Sequence, residues 1–119
     1  SKLFTNYFGG KKIWIDTRNK YKKLILSNKF GNSDLKNENL DEILESRIKL
    51  YTKWYGKMSK NYFFSILIDQ AAEYATMGEL ISKKFKNSII LGADHHKMID
   101  FYRIYKNIPV VYLKKKYIT

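Results

Sequence analysis

A chain of 119 residues that is 45% apolar and 16% aromatic, with one Pro, holds the material for a single packed core, which excludes a multidomain architecture and argues against disorder. The absence of cysteine excludes a disulfide framework, a thiolate nucleophile and a zinc–thiolate centre. The formal charge is +12 and sits at the two ends: residues 1–30 carry 8 basic and 1 acidic side chains and residues 91–119 carry 6 and 2, whereas residues 31–60 carry 6 and 5 and residues 61–90 carry 3 and 3.

In chain order, Lys11 to Asp16 alternates apolar and β-branched residues after Gly9-Gly10 and predicts a strand entered from a turn. Thr17 to Phe30, with Tyr21, Leu24 and Ile25 on one side, predicts a helix that Gly31-Asn32-Ser33-Asp34 breaks. Leu40, Ile43, Leu44, Ile48, Tyr51 and Tyr55 recur at helical spacing, with Asn37 or Asn39 as cap, acids in the first turn and Gly56 at the end. Tyr62 to Ile68 is apolar on all sides and fits a buried strand or the first turns of a buried helix; the Ala-rich continuation to Phe85 favours helix, with Gly78 a candidate kink. Ser88 to Leu91 predicts a central strand, Asp94 to Lys106 a helix and Ile108 to Leu113 a returning strand, a βαβ unit. The fold class expected is therefore α/β: one domain over residues 1–119, with a small, mostly parallel sheet flanked by helices. The longest apolar run, Tyr62 to Ile68, falls short of the roughly 20 residues that span a bilayer, so no membrane partner is expected.

In open parallel sheets ligands bind at the carboxyl ends of the strands. Asp16 and Asp94 fall at such ends in this reading, and Asp69 lies on the intervening helix. Clustered carboxylates repel one another, and a hard cation such as Mg2+ or Mn2+ between them would relieve the repulsion, generate hydroxide and stabilise charge on phosphate oxygens. Each acid also has a plain structural reading: Asp94 and Asp16 as helix caps, Asp69 on an exposed helix face. Glu79, Asp100 and Lys114 offer three of the four groups of a second nuclease geometry, with Tyr112 where its remaining carboxylate belongs.

Three segments carry a resemblance. Lys12-Ile13-Trp14-Ile15-Asp16-Thr17-Arg18-Asn19, Ile66-Leu67-Ile68-Asp69-Gln70-Ala71-Ala72 and Ile89-Ile90-Leu91-Gly92-Ala93-Asp94-His95-His96 together resemble the NYN and PIN nuclease superfamily. Its pattern is a first strand ending in Asp, an apolar helix carrying Asp, and a strand running into an Asp-containing turn before a helix and a Val-rich strand. His96 stands where the second Asp of that turn belongs. The resemblance implies an RNA-cutting site with Asp16, Asp69 and Asp94 as its metal-binding acids.

The adjacent His95 and His96, at the start of the helix expected from Asp94, offer a metal-free alternative. A helix N-terminus lowers an imidazole pKa, which suits a general base removing a proton from an RNA 2′-hydroxyl. Lys97 or Arg103 would then stabilise the phosphate. Lys11, Lys12, Arg18, Lys97, Arg103, Lys114, Lys115 and Lys116 form the expected nucleic-acid track, and aromatics beside them, such as Tyr7, Trp14, Tyr21 and Tyr117, could stack on unpaired bases. The leading expectation is a small ribonuclease centred on Asp94, with a toxin module as one natural setting and an acidic protein inhibitor as its partner. A noncatalytic RNA- or DNA-binding module and an interaction protein that engages an acidic partner are the alternatives.

Overall fold

The computed structural model describes residues 2–30, 34–56, 60–92, 101 and 109–112. Within them the order is α1 (Lys2–Tyr7), α2 (Lys11–Leu26), a 3-10 turn (Asp34–Asn37), α3 (Leu40–Tyr55), α4 (Lys60–Lys84), β1 (Ile90–Gly92) and β2 (Val110–Tyr112). This mostly helical fold corrects the α/β expectation. The two strands pair in parallel, Ile90 opposite Val110 and Gly92 opposite Tyr112, but at three residues each they make a short ladder and not a layer on which helices could pack. The helix expected between them falls outside the described residues apart from Phe101, which is fully buried with its ring 6.3 Å from Phe30.

The largest correction lies at Lys11 to Asp16, which forms the first turns of α2 and not a strand. The buried residues of α2 are Trp14, Thr17, Tyr21 and Ile25, a stripe at offsets of three, seven and eleven that starts before Thr17 and crosses the expected strand–helix boundary without a break. Gly9 and Gly10 do form a turn, at φ 111° and 101°. At Gly9 a Cβ would stand 2.9 Å from Ile13 Cδ1, the end of an exposed side chain that can shift, so it is the positive φ that calls for glycine there. Lys84 ties this end of the chain to α4: its ammonium donates to the Tyr7 carbonyl at 2.8 Å and lies 3.8 Å from the centre of the Tyr7 ring.

α3 follows its sequence signals. The Asn39 side chain accepts from the Asp41 amide at 2.7 Å, Asp41 and Glu42 sit at the positive end of the helix dipole, and Gly56 ends the helix at φ 80°. Leu40, Ile43, Leu44 and Ile48 form its buried face. α4 is the central element, 25 residues and about 37 Å long, and it runs unbroken through Gly78. Phe63, Leu67, Ile68, Ala71, Ala72 and Ala75 are all buried, because α2 packs along one side of α4 and α3 along another. The small side chains let the neighbouring backbones come close, and Thr76 satisfies its buried hydroxyl by donating to the Ala72 carbonyl at 2.7 Å.

Candidate nucleic-acid interface

The structure separates the acids that the sequence reading brought to one edge. Asp16 is exposed on the outer face of α2, where Lys12 donates to it at 2.8 Å. That hydrogen bond, and then the carboxylate's charge, raise the Lys12 pKa above its usual value. Asp69 is exposed on α4 and pairs with Lys22 at 2.8 Å. Both stand within helices and not at strand ends. Among the described residues no group of three or more metal-ligating side chains comes together. Asp94, His95, His96, Lys97, Arg103, Lys114, Lys115 and Lys116 lie outside the described residues, as do Asp100 and Lys114 of the second nuclease geometry.

Glu79, the described acid of that second geometry, belongs to a polar seam between α2 and α4. It is 4% exposed and accepts from the buried Tyr21 hydroxyl at 2.6 Å and from Lys20 at 2.9 Å, with Lys83 at 3.5 Å. Burial pushes the Glu79 carboxyl up, but the Tyr21 hydroxyl, Lys20 and Lys83 outweigh it and hold the group below its ordinary value. Six residues earlier on α4, Glu73 accepts from the Trp14 indole at 2.9 Å with one oxygen and from Arg18 at 3.0 Å with the other. At 100° per residue, Arg18 and Lys22 fall on one flank of the buried stripe of α2 and Lys20 on the other. They therefore reach different carboxylates of the same partner helix. All three acids of residues 61–90 meet a cation of α2. Part of the positive charge that the sequence places at the N-terminus is thus answered by carboxylates, Arg18 at the α2–α4 seam and Lys12 on the surface of α2 included. Lys11 and Lys23 stay exposed on the outer side of α2, Lys23 beside a shallow trough with Asp16, Asn19, Lys20 and Leu24.

A different surface gathers aromatic rings at the α3–α4 end. Tyr51 and Tyr55 near the end of α3 and Tyr62, Phe63 and Ile66 in the first turns of α4 line an open groove of about 330 Å3. Phe63 forms its floor, buried, with its ring 5.8 Å from that of Tyr51 and inclined by 65°. Tyr55 and Tyr62 stand at its edge, 65% and 52% exposed, and Trp54 beside them is 58% exposed. Tyr51 packs against Trp54 and Tyr55 at 6.2 and 5.9 Å, so four rings brace one another in a connected set. Polar atoms are present as well: the Tyr51 hydroxyl stands 3.5 Å from the Gln70 amide oxygen. Lys49 and Lys53 are exposed on α3, and Lys60 makes one long, exposed contact of 3.7 Å to Glu45.

This surface was missed because the charge count used windows of thirty residues. Residues 31–60 place five acids before Arg47 and five of their six cations from Arg47 onward, and the two halves cancel. From Arg47 to Ile68 the chain carries five basic residues, six aromatic ones and no acid, a pattern visible to a shorter window. Trp14 and Tyr21, which the sequence offered as stacking residues, are instead buried hydrogen-bond donors in the seam. The chain matches no family model, no curated protein and no solved structure.

Proposed function

We propose that the protein binds nucleic acid, RNA first among them, as a module that holds its ligand without cutting it. The observation that supports this reading is the acid-free stretch from Arg47 to Ile68, which carries five basic and six aromatic residues and leaves Lys49, Lys53, Trp54, Tyr55 and Tyr62 exposed, in a chain with a net charge of +12. Cations there meet phosphates and release their counterions, and the rings supply apolar contact that phosphates cannot. Binding is preferred to metal-assisted cleavage because Asp16 and Asp69 each spend their charge on a lysine of α2.

The test is incubation with end-labelled single-stranded RNA and DNA over a salt series. Retention that weakens as salt rises, with a log–log slope of about −0.7 for each phosphate neutralised, is expected, with no shortening of the label over hours. Asp16→Ala and Asp69→Ala should bind at least as well as the parent. Cleavage that disappears in Asp94→Ala or stops on chelation would return the function to the ribonuclease reading. Absence of retention at low salt would point to an acidic protein partner.

A further inference from the structure

Two acid-free stretches far apart in sequence meet at the last turn of α4. Residues 1–15 hold three lysines and residues 80–93 hold three more, with no carboxylate in either. Lys84 joins them, donating to the Tyr7 carbonyl at 2.8 Å with its ammonium 3.8 Å from the centre of the Tyr7 ring. The Phe85 ring lies 6.3 Å from that of Tyr7 and is inclined to it by only 25°. Leu3 stands four residues before Tyr7 on α1 and so shares its face. Leu3 is 84% exposed, Tyr7 53% and Phe85 44%, an apolar patch beside free cations. We propose that this patch is a docking surface for an anionic bilayer, on which the protein lies without crossing it.

Positive charge is available at the patch itself. Among the described residues no carboxylate pairs with Lys84 or with Lys86, and both lysines are exposed. An ammonium has three donors, so Lys84 keeps two for phosphate oxygens after serving the Tyr7 carbonyl. Lys83 adds to the surplus, because it and Lys20 share the one carboxylate of Glu79. The apolar side chains then say which anionic partner fits. A single nucleic-acid strand stacks its bases on open ring faces. Here the Lys84 ammonium takes one face of Tyr7, Phe85 packs beside the same ring, and Leu3 has no face to offer. An outward leucine and two partly covered rings, set among lysines, match a headgroup layer that takes apolar side chains to shallow depth and meets ammonium groups with phosphate and carboxylate. No described helix is long and apolar enough to cross a bilayer, so the contact is with its surface.

The experiment is cosedimentation of the full chain with vesicles of phosphatidylcholine alone and of an equal mixture of phosphatidylcholine and phosphatidylserine, with single-stranded oligouridylate measured in parallel by fluorescence anisotropy. The variants are Lys84→Gln/Lys86→Gln, Lys86→Gln alone, Leu3→Ser/Phe85→Ser and, as a control with the same change in net charge, Lys49→Gln/Lys53→Gln on α3. The expected result is binding to the mixed vesicles that falls as salt rises, with little to phosphatidylcholine alone. Each lysine near the surface contributes about fivefold, so Lys86→Gln should weaken vesicle binding about fivefold and the Lys84/Lys86 pair about thirtyfold. The Lys49/Lys53 pair should change it by much less. Leu3→Ser/Phe85→Ser should weaken it with the net charge unaltered. Circular dichroism reports whether each variant is folded, and Lys86→Gln removes no contact of Lys84 with Tyr7. No binding to mixed vesicles at low salt would overturn the proposal. So would an equal loss in the two lysine pairs, which would make the attraction a property of net charge, or vesicle binding that ignores Leu3 and Phe85. Oligouridylate binding that depends on Lys84, Lys86 and Phe85, with no vesicle binding, would assign the patch to nucleic acid instead and overturn it as well.

Discussion

Replacing Glu79 with alanine tests the seam between α2 and α4 at its most buried point. The substitution removes the acceptor of the Tyr21 hydroxyl, a buried hydrogen bond to an ionised group worth about 1.5–3 kcal/mol. The contacts to Lys20 and Lys83 add little, about 0–1 kcal/mol together, because both lysines are half or more exposed and regain water when released. The expected loss is about 2–4 kcal/mol, read as a lower urea midpoint by circular dichroism. Glu79→Gln keeps the shape and one acceptor and should cost about 1–2 kcal/mol at neutral pH. Because the folded carboxyl is held below its ordinary value of 4.5, its contribution is complete above the unfolded value and is lost as pH falls through the lower folded one. The gap between the parent and Glu79→Gln should therefore be widest at neutral pH and narrow below about pH 4.5. An alanine variant within about 0.5 kcal/mol of the parent, or a glutamine gap that ignores pH, would refute the seam as a source of stability.

Two further substitutions probe elements that position the groove. Asn39→Ala removes the acceptor for the Asp41 amide and should lower stability by about 0.5–2 kcal/mol in urea unfolding, whereas Asn39→Ser should recover most of it. Ala72→Leu places three extra carbons at a position of α4 with no exposure, and overpacking should cost about 1–3 kcal/mol or more; a neutral result in thermal unfolding would mean that the helices around α4 are less tightly packed than described.

α3 was legible because its signals agree: Asn39 caps, the acids of the first turn complement the dipole, the apolar residues keep one period and Gly56 ends it. α4 was legible from its length and its alanines. The start of α2 was not, because six residues containing two isoleucines and a tryptophan satisfy an alternating pattern as well as a helical one. Trp14 and Thr17 decide the matter, since together with Tyr21 and Ile25 they extend a single buried stripe back through the segment. That one misreading moved Asp16 from a strand end to the outer face of a helix and suggested a sheet where the chain builds a helical packing. The ion pairs of the seam were illegible for a different reason. Glu73 and Glu79 are ordinary helix formers in sequence, and only the tertiary contact with Trp14, Arg18, Lys20 and Tyr21 gives them a role.

Glu73 and Glu79, which accept hydrogen bonds from α2, lie 55 to 59 positions further along the chain, on α4. Ribosomes add about 5–20 residues per second, so α2 is synthesised roughly 3–12 s before these carboxylates exist. A 16-residue helix has marginal stability alone, and for that interval Trp14, Tyr21 and Ile25 have no core to enter. α3, which carries its own cap and stop, needs no such wait to begin forming. α2 and α3 both pack on α4, so the helix made first waits longest for the surface it docks on. A nascent chain halted before Asp69 would display a basic, aromatic segment with its α4 counter-charges not yet made, a form exposed to misassociation and to proteolysis.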